Sequence, residues 1–368
     1  MPTSIEVENV IHKLHNSMNS SSSDYEEQEL INIFCGTWNV NSRTSDEDIS
    51  GWLIPENFKQ LADIYAVAFQ EIVDLNPYNV AFDDSMSSAR SDYWIFKVGS
   101  VLNKTHFTFS LIQETRMVGI LLVVFVRDFL IPVVSDIRGA VVGTGFMGFY
   151  GNKGGVAIRL NINESSICFV SSHLAASRNN VKGRHRDYFQ IIEELIFAPV
   201  KVPLSRLASA VNSKNCYQGR PWCAAEKNLE KSLSLLQHDI IFWIGDVNYR
   251  IDKSINIEEI YSRIHENDYA YLLERDQLNI ERLNQRVFVG FRESAITFPP
   301  TYKFQRGCNL YERRQGKKQR APAWCDRVLW GGNHAEGDVR PVYYGRAGTN
   351  VLAKYSTSSV LAKYFIIT

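Results

Sequence analysis

Five apolar runs in this chain finish in side chains that a closed core would not select. "FCGTWNVN" carries Asn39 and Asn41, "YAVAFQEIVDLN" ends its run with Gln70 and Glu71, and "ICFVSSHLAAS" delivers His173. "DIIFWIGDVNYRID" places Asp246 and Asn248 just past another run, and "APAWCDRVLW" puts Asp326 ahead of one. Taken singly, each has an ordinary structural use: Glu71 as a helix cap, Asp246 as a turn former, His173 as a hydrogen-bonded structural residue. The set is harder to obtain from caps and turns. In open α/β architectures ligands gather where strand ends meet loops, so these ends are expected to face one site.

The chemistry that such a set suits is phosphoryl transfer. Charge builds on phosphate oxygens and on the leaving alkoxide, so the protein supplies mostly positioning and electrostatic stabilisation. A Glu with an amide oxygen and several waters suits Mg²⁺, a hard ion that keeps much of its hydration. Asp246 could orient or deprotonate the attacking water, Asn248 fix its geometry, and His173 donate to a non-bridging oxygen. No G-x-S-x-G serine elbow competes with this reading.

Two segments could recognise an anion. "MGFYGNKGGVAIRL" sets Asn152 and Lys153 among glycines, where backbone can approach a phosphate closely, without the spacing of a Walker loop. "PPTYKFQRGCNLYERRQGKKQRAPAW" is the most basic part of the chain, with Lys303, Arg306, Arg313, Arg314, Lys317, Lys318 and Arg320. Charge runs are usually solvated loops. Its place directly before the Asp326 strand favours ligand contact. Because 40 Lys and Arg balance 40 Asp and Glu, no global field draws the chain to nucleic acid or acidic membrane, and an anionic ligand must be met by local patches such as these.

The elements that must carry these residues are short buried strands, expected at 31–39, 64–70, 107–113, 117–126, 155–161, 166–172, 239–245 and 325–330. Helical patterns fall at 84–103, 184–197, 226–237, 256–265 and 267–284, and 198–222 reads as a loop or lid. Residues 1–30, with "NSSSS" and "DYEEQE", read as a flexible polar leader. No linker divides the remainder, so 31–368 is expected to be one α/β domain. The greasiest stretch, "MVGILLVVFVRDFLIPVV", is broken by Arg127 and Asp128 and is too short between breaks for a membrane helix. Among six cysteines no C-x-x-C pair occurs, and Cys35 and Cys168 lie in apolar runs, which indicates reduced buried thiols in a cytoplasmic protein.

Across roughly residues 31–347 the motifs "GTWNVN", "FQEIVDLN", "GNKGGVAIR", "SSHLAAS", "GDVNYRID", "FPPTYKF" and "RAPAWCDRVLW" resemble, in order, those of the inositol polyphosphate 5-phosphatases, and "YYGRA" resembles the synaptojanin-like branch. The resemblance implies a deoxyribonuclease I-like fold, a two-sheet α/β sandwich flanked by helices. It also implies Mg²⁺-dependent removal of the 5-phosphate from phosphatidylinositol 4,5-bisphosphate, related phosphoinositides or soluble inositol phosphates. Carried over by position, Glu71 is the metal ligand with Asn39 beside it. Asp246 and Asn248 position the nucleophilic water, His173 and Asn152 face the scissile phosphate, and Tyr302, Lys303, Lys318 and Arg320 contact the adjacent 4-phosphate. Asp326 matches the carboxylate that orients an essential histidine. A cytoplasmic monomer that meets membranes transiently and binds no nucleic acid is expected. A nuclease of the same fold is disfavoured by the intact "TYKF" and K-x-R-A-P-A-W elements. His185 in "GRHRDY" stands where the family usually has Asn, with little consequence expected.

From about residue 348 the chain departs from the pattern. The family closes on S-D-H-[RK]-P-V, yet no histidine follows His334. In "STSSVLAKYFI" Thr357 and Ser358 occupy the Asp and His positions; aligning the first "VLAKY" instead puts Ala347 and Gly348 there, and "GDVRPV" would put Val339 at the histidine but too soon after Asp326. Loss of a charged donor to the transition-state phosphate is expected to lower the rate by about 10²-fold or more. The alternative reading is a catalytically dead phosphoinositide-binding pseudophosphatase.

Overall fold

Runs such as "IYAVAFQ" and "IIFWIGD" carry apolar side chains at successive positions, so both faces of such a strand must be covered. The computed structural model describes residues 30–44, 46, 48–55, 61–74, 84–145, 153–199, 231–305, 310–313, 319–335, 337–346 and 361–367. It meets this demand with two sheets stacked face to face and helices over their outer sides, the two-sheet α/β sandwich expected.

One sheet holds β1 (Ile31–Asn39), β2 (Ile64–Gln70), β3 (Phe109–Met117), β4 (Ile120–Arg127), β12 (Val339–Arg346) and β13 (Leu361–Ile367), in the order β12-β13-β1-β2-β4-β3. The other holds β5 (Val134–Gly143), β6 (Gly154–Ile162), β7 (Ser165–His173), β10 (Ile240–Asp246) and β11 (Asp326–Gly331), in the order β11-β10-β7-β6-β5. A small ribbon pairs β8 (Ile196–Phe197) with β9 (Leu233–Ser234). Each sheet contains one parallel pair, β1 with β2 and β7 with β10. Parallel partners end side by side, so Asn39 lies opposite Gln70 and His173 opposite Asp246. These two pairs of strand ends build the site.

Between the sheets, Ile33, Ala66 and Leu122 meet Ile158, Phe169 and Phe242 in one buried core. The opposite face of the first sheet, with Phe69 and Val123, is covered by Trp94 and Val98 of the helix Asp84–Leu102. The opposite face of the second, with Val170 and Trp243, is covered by Tyr188 and Ile191 of the helix Val181–Glu194. This double covering explains why the central strands read as continuous apolar runs rather than alternating ones. Cys35, Cys168 and Cys325 are free and buried, as expected of reduced thiols. No helix among the described residues is long and apolar enough to cross a membrane.

Several boundaries differ from the sequence reading, each for a local reason. The helix expected from 184 starts at Val181 because the Asn180 side chain accepts the Gly183 N–H at 3.2 Å, and it stops at Glu194 so that Ile196 and Phe197 can pair in the ribbon. The helix expected at 226–237 is not one over its described part: 231–237 contains β9 and a three-residue 3₁₀ turn, fixed by a capping box between Ser234 and Gln237. The helical stretch 267–284 is two helices, Tyr269–Leu273 and Gln277–Leu283, because Asp268 and Asp276 each cap a new start. After Arg127 the greasy segment turns into a 3₁₀ helix, Asp128–Val133. Strands β5 and β12 were not anticipated; both are sheet edges whose polar and apolar residues mix, and both carry register irregularities. Residues 1–29, and 200–222 of the expected lid, lie outside the described residues.

Strand β13, from the divergent tail, inserts between β1 and β12 and brings Lys363 into the intersheet core fully buried. Its Nζ donates to the Val328 carbonyl at 3.3 Å and lies 4.1 Å from the Trp330 ring centroid and 4.4 Å from that of Tyr344. Burial lowers its pKa from the ordinary 10.5 to about 7, with Glu293 opposing. Between these values the unfolded chain binds more protons than the folded one, so stability rises with pH across that window. Lys363→Met is therefore expected to be more stable than the parent by about 1–2 kcal/mol at pH 6, the gap closing toward pH 10. Urea midpoints at both pH values check this; a pH-independent gap would refute it.

Candidate active site

Asn39 is the last residue of β1, and Glu71 follows β2 in a left-handed backbone conformation (φ 53°) that turns its side chain away from the strand direction. The Asn39 Nδ2 donates to Glu71 Oε1 at 3.1 Å and to Asp246 Oδ2 at 3.2 Å. One amide thus spans the two sheets and ties two carboxylates together. Its own Oδ1 accepts the Asn41 N–H at 3.1 Å, which fixes the ring of contacts to the turn after β1.

On the second sheet, close strand approach depends on two glycines. At Gly154 (φ 147°) a Cβ would collide with the Val142 carbonyl, and at Gly245 (φ 133°) with that of Ser172. These positions bring Lys153 and Asp246 against His173, which is opposite Gly154 on one side and Asp246 on the other. His173 Nε2 contacts Lys153 Nζ and lies 3.5 Å from Asp246 Oδ2 and 3.8 Å from Glu71 Oε1. Burial, aided by Lys153 and Arg250, holds the His173 pKa well below its ordinary value, so the imidazole is neutral at neutral pH. A neutral ring can accept from Lys153 or donate to a phosphate oxygen according to its tautomer. Burial also raises the Asp246 pKa, against the pull of Lys153 and Arg250.

Asn248, again left-handed (φ 55°), is held from three directions. Its N–H donates to Asp246 Oδ1 at 3.2 Å, its Nδ2 to the Leu174 carbonyl at 3.1 Å, and its Oδ1 accepts from Arg250. Arg250 was not singled out in the sequence, although the alternation Asp246, Asn248, Arg250 in "GDVNYR" is the signal that could have found it. Its guanidinium lies 4.2 Å from the Tyr302 ring centroid, and Tyr302 in turn accepts from Arg320 Nη1 at 2.8 Å.

Asn39, Glu71, Lys153, His173, Asp246 and Asn248 share one cleft of about 280 Å³ with Arg250, Tyr302, Lys303 and Arg320. Nine of the sequence-predicted positions therefore converge. Asp326 lies behind them: it is the register partner of Asp246, buried, and not part of the cleft lining. Neither of its carboxylate oxygens has a hydrogen-bond partner among the described residues. Burial, reinforced by the charge of Asp246, holds its pKa well above the ordinary carboxylate range. Asn152 and Lys318 lie outside the described residues.

Two alternatives for the absent histidine are answered by topology. Val339 starts β12 opposite Ile367, which itself pairs with Ile31 at the far end of β1 from Asn39. His334 follows β11 beyond Gly331, at the end of that strand opposite Asp326, roughly 17 Å away at strand spacing. His185 packs 3.2 Å from Glu281 and plays no part in the cleft.

Among the described residues no three His, Cys, Asp or Glu side chains form a closed metal cage. The partly exposed Glu71 carboxylate (29%) instead offers an open oxygen ligand, which the Asn39 amide would join through its Oδ1, the atom that accepts the Asn41 N–H while Nδ2 faces Glu71 and Asp246. That suits a hard cation retaining several waters.

Residues 36–353 match Endonuclease/Exonuclease/phosphatase family 2. The chain is 34% identical over 337 residues to inositol-1,4,5-trisphosphate 5-phosphatase 1 of Schizosaccharomyces pombe, covering 90% of this chain and 28% of that protein. It is 32% identical over 342 residues to the synaptojanin of Caenorhabditis elegans, covering 89% of this chain and 27% of that one. The chain thus spans little more than a quarter of these curated relatives. Among solved structures, the inositol polyphosphate 5-phosphatase domain of SPsynaptojanin, in complex with inositol (1,4)-bisphosphate and calcium, aligns with a TM-score of 0.73 at 32% identity, covering 98% of this chain and 90% of that one.

Proposed function

The chain belongs to the inositol polyphosphate 5-phosphatases within Endonuclease/Exonuclease/phosphatase family 2, in their synaptojanin-like branch, and from that premise we propose that its cleft receives the 5-phosphate of a phosphoinositide headgroup or soluble inositol phosphate and hydrolyses it with Mg²⁺. The observation that supports this most is the convergence of Asn39, Glu71, His173, Asp246 and Asn248 with Lys153 and Arg250 in one cleft. Glu71 and Asn39 would hold Mg²⁺, which when bound neutralises charge on the phosphate. Asp246 accepts a proton from, or orients, the attacking water. Asn248 is held by Leu174 and Arg250 in a fixed pose for that task. Tyr302, Lys303 and Arg320 form the wall suited to the neighbouring 4-phosphate. In this reading the protein is a cytoplasmic monomer that meets membranes transiently, where the lipid substrate resides.

Phosphate release from phosphatidylinositol 4,5-bisphosphate with and without Mg²⁺ tests the proposal. That neither Asp326 carboxylate oxygen has a hydrogen-bond partner among the described residues favours a second reading, binding with little or no turnover. Release at about 10⁻² of the rate of an intact family member is expected; release at full rate would show that the divergent tail carries no catalytic loss. Headgroup affinity should persist in either case. Lys318→Ala combined with Arg320→Ala is expected to weaken it by about tenfold or more, and equal affinity would reduce that loop to solvated charge.

A further inference from the structure

Parallel strands β7 and β10 part where the site begins. The Leu174 N–H donates to the Asp246 carbonyl at 3.0 Å, and beyond it one chain segment enters the turn 175–178 while the other carries Asn248 and Arg250. Gln277, the first residue of the helix Gln277–Leu283, is buried between these two segments. Its Oε1 accepts the Arg250 N–H at 3.0 Å and Arg184 Nη2 at 2.6 Å, and its Nε2 donates to the Arg178 carbonyl at 2.9 Å. Its own N–H donates to the Arg250 carbonyl at 2.8 Å. Arg184, fully buried, reaches back through Nη1 to the carbonyls of Ala175 at 3.2 Å and Ser177 at 2.7 Å. One amide therefore ties the segment after β10 to the turn after β7.

We propose that Gln277 is a positioning residue for the hydrolytic step, acting through Arg250 on Asn248. The inference rests on the function proposed above. Gripped by Gln277 at both its N–H and its carbonyl, Arg250 extends its guanidinium to Asn248. It donates to the Asn248 backbone carbonyl from Nε at 3.2 Å and to the side-chain Oδ1 from Nη2. The amide that orients the attacking water is thus held in place by a residue that does not line the cleft. Withdrawing Oε1 would leave the Arg250 N–H and a guanidinium N–H of Arg184 buried without this acceptor. The segment must shift to satisfy them, and a displacement of about 1 Å can cost about 10²-fold in rate. The headgroup wall of Tyr302, Lys303 and Arg320 belongs to a different segment of the chain, so the loss falls on kcat rather than on KM.

Gln277→Asn keeps the amide but withdraws its oxygen by one methylene, roughly 1.5 Å. Gln277→Glu keeps an oxygen within reach of Arg250 and Arg184 and gives up only the donor to Arg178. The measurement is phosphate release from inositol 1,4,5-trisphosphate by the full chain with Mg²⁺. For Gln277→Asn, kcat should fall about tenfold with KM within about twofold of the parent's. For Gln277→Glu, kcat should recover to within about threefold of the parent's. Rates are taken per binding site, counted by calorimetric titration with inositol 1,4-bisphosphate. A merely structural residue would lower the number of competent sites and leave kcat per site unchanged. Parent-like kcat per site in Gln277→Asn, or an equal loss in both variants, would overturn the positioning role and leave the proposed function standing. Absence of release from the parent would overturn the proposed function and this inference with it.

Discussion

Replacing Glu71 by alanine is expected to weaken divalent-cation binding by about 100-fold and to abolish metal-dependent phosphate release. Glu71 offers the exposed carboxylate oxygen of the cleft, whereas Asp246 is buried and committed to Asn39 and the Asn248 N–H. Removing Glu71 thus takes away the charged half of the open oxygen set. The same change leaves Lys153 facing one carboxylate fewer, so metal-free affinity for inorganic phosphate should rise while metal affinity falls. Opposite movement of the two affinities separates this role from a merely structural one, which would lower both. Mn²⁺ titration followed by electron paramagnetic resonance reads the first, and calorimetry with phosphate in a chelating buffer the second. Unchanged Mn²⁺ affinity would remove Glu71 from the metal site.

The strand ends were legible in the sequence because their chemistry violates their surroundings. A Glu after "AVAFQ", a His after "CFVSS" and Asp-x-Asn after "IIFWIG" stand where burial should favour apolar groups, and the fold brings all three to one cleft. Central strands were equally legible, since coverage on both faces leaves an unbroken apolar run with turn residues at each end. Edges were not. In β5 and β12 one face is open, the residues alternate irregularly and bulges break the period, so no run stands out. Arg250 escaped because an arginine after a strand is ordinarily a solvated residue, and only the folded chain shows its guanidinium between Asn248 and Tyr302.

Thr357→Asp combined with Ser358→His is expected to raise turnover by about 10²-fold, the magnitude ordinarily carried by a well-placed acid or charged donor. Thr357 and Ser358 lie outside the described residues, and the sequence pattern chooses them; two observations on described residues bear on the exchange. Strand β13 runs antiparallel to β1 with Leu361 opposite Thr37, so it begins at the end of the sheet where Asn39 and Glu71 lie. Asp326, the carboxylate that in the family pattern orients a histidine, has both oxygens unpartnered among the described residues. A protonated imidazole beside it would supply the hydrogen bond and the opposite charge that a buried carboxylate lacks, and would lower its pKa toward the ionised form. The coupling is measurable as a cycle. Asp326→Asn should erase most of the gain in the doubly substituted background, while changing the parent little, because in the parent neither carboxylate oxygen takes a hydrogen bond from the described residues. An unfolding midpoint and headgroup affinity equal to the parent's would show that the substituted chain folds and binds. If turnover then stayed at the parent's level, the missing histidine would not be what limits this site.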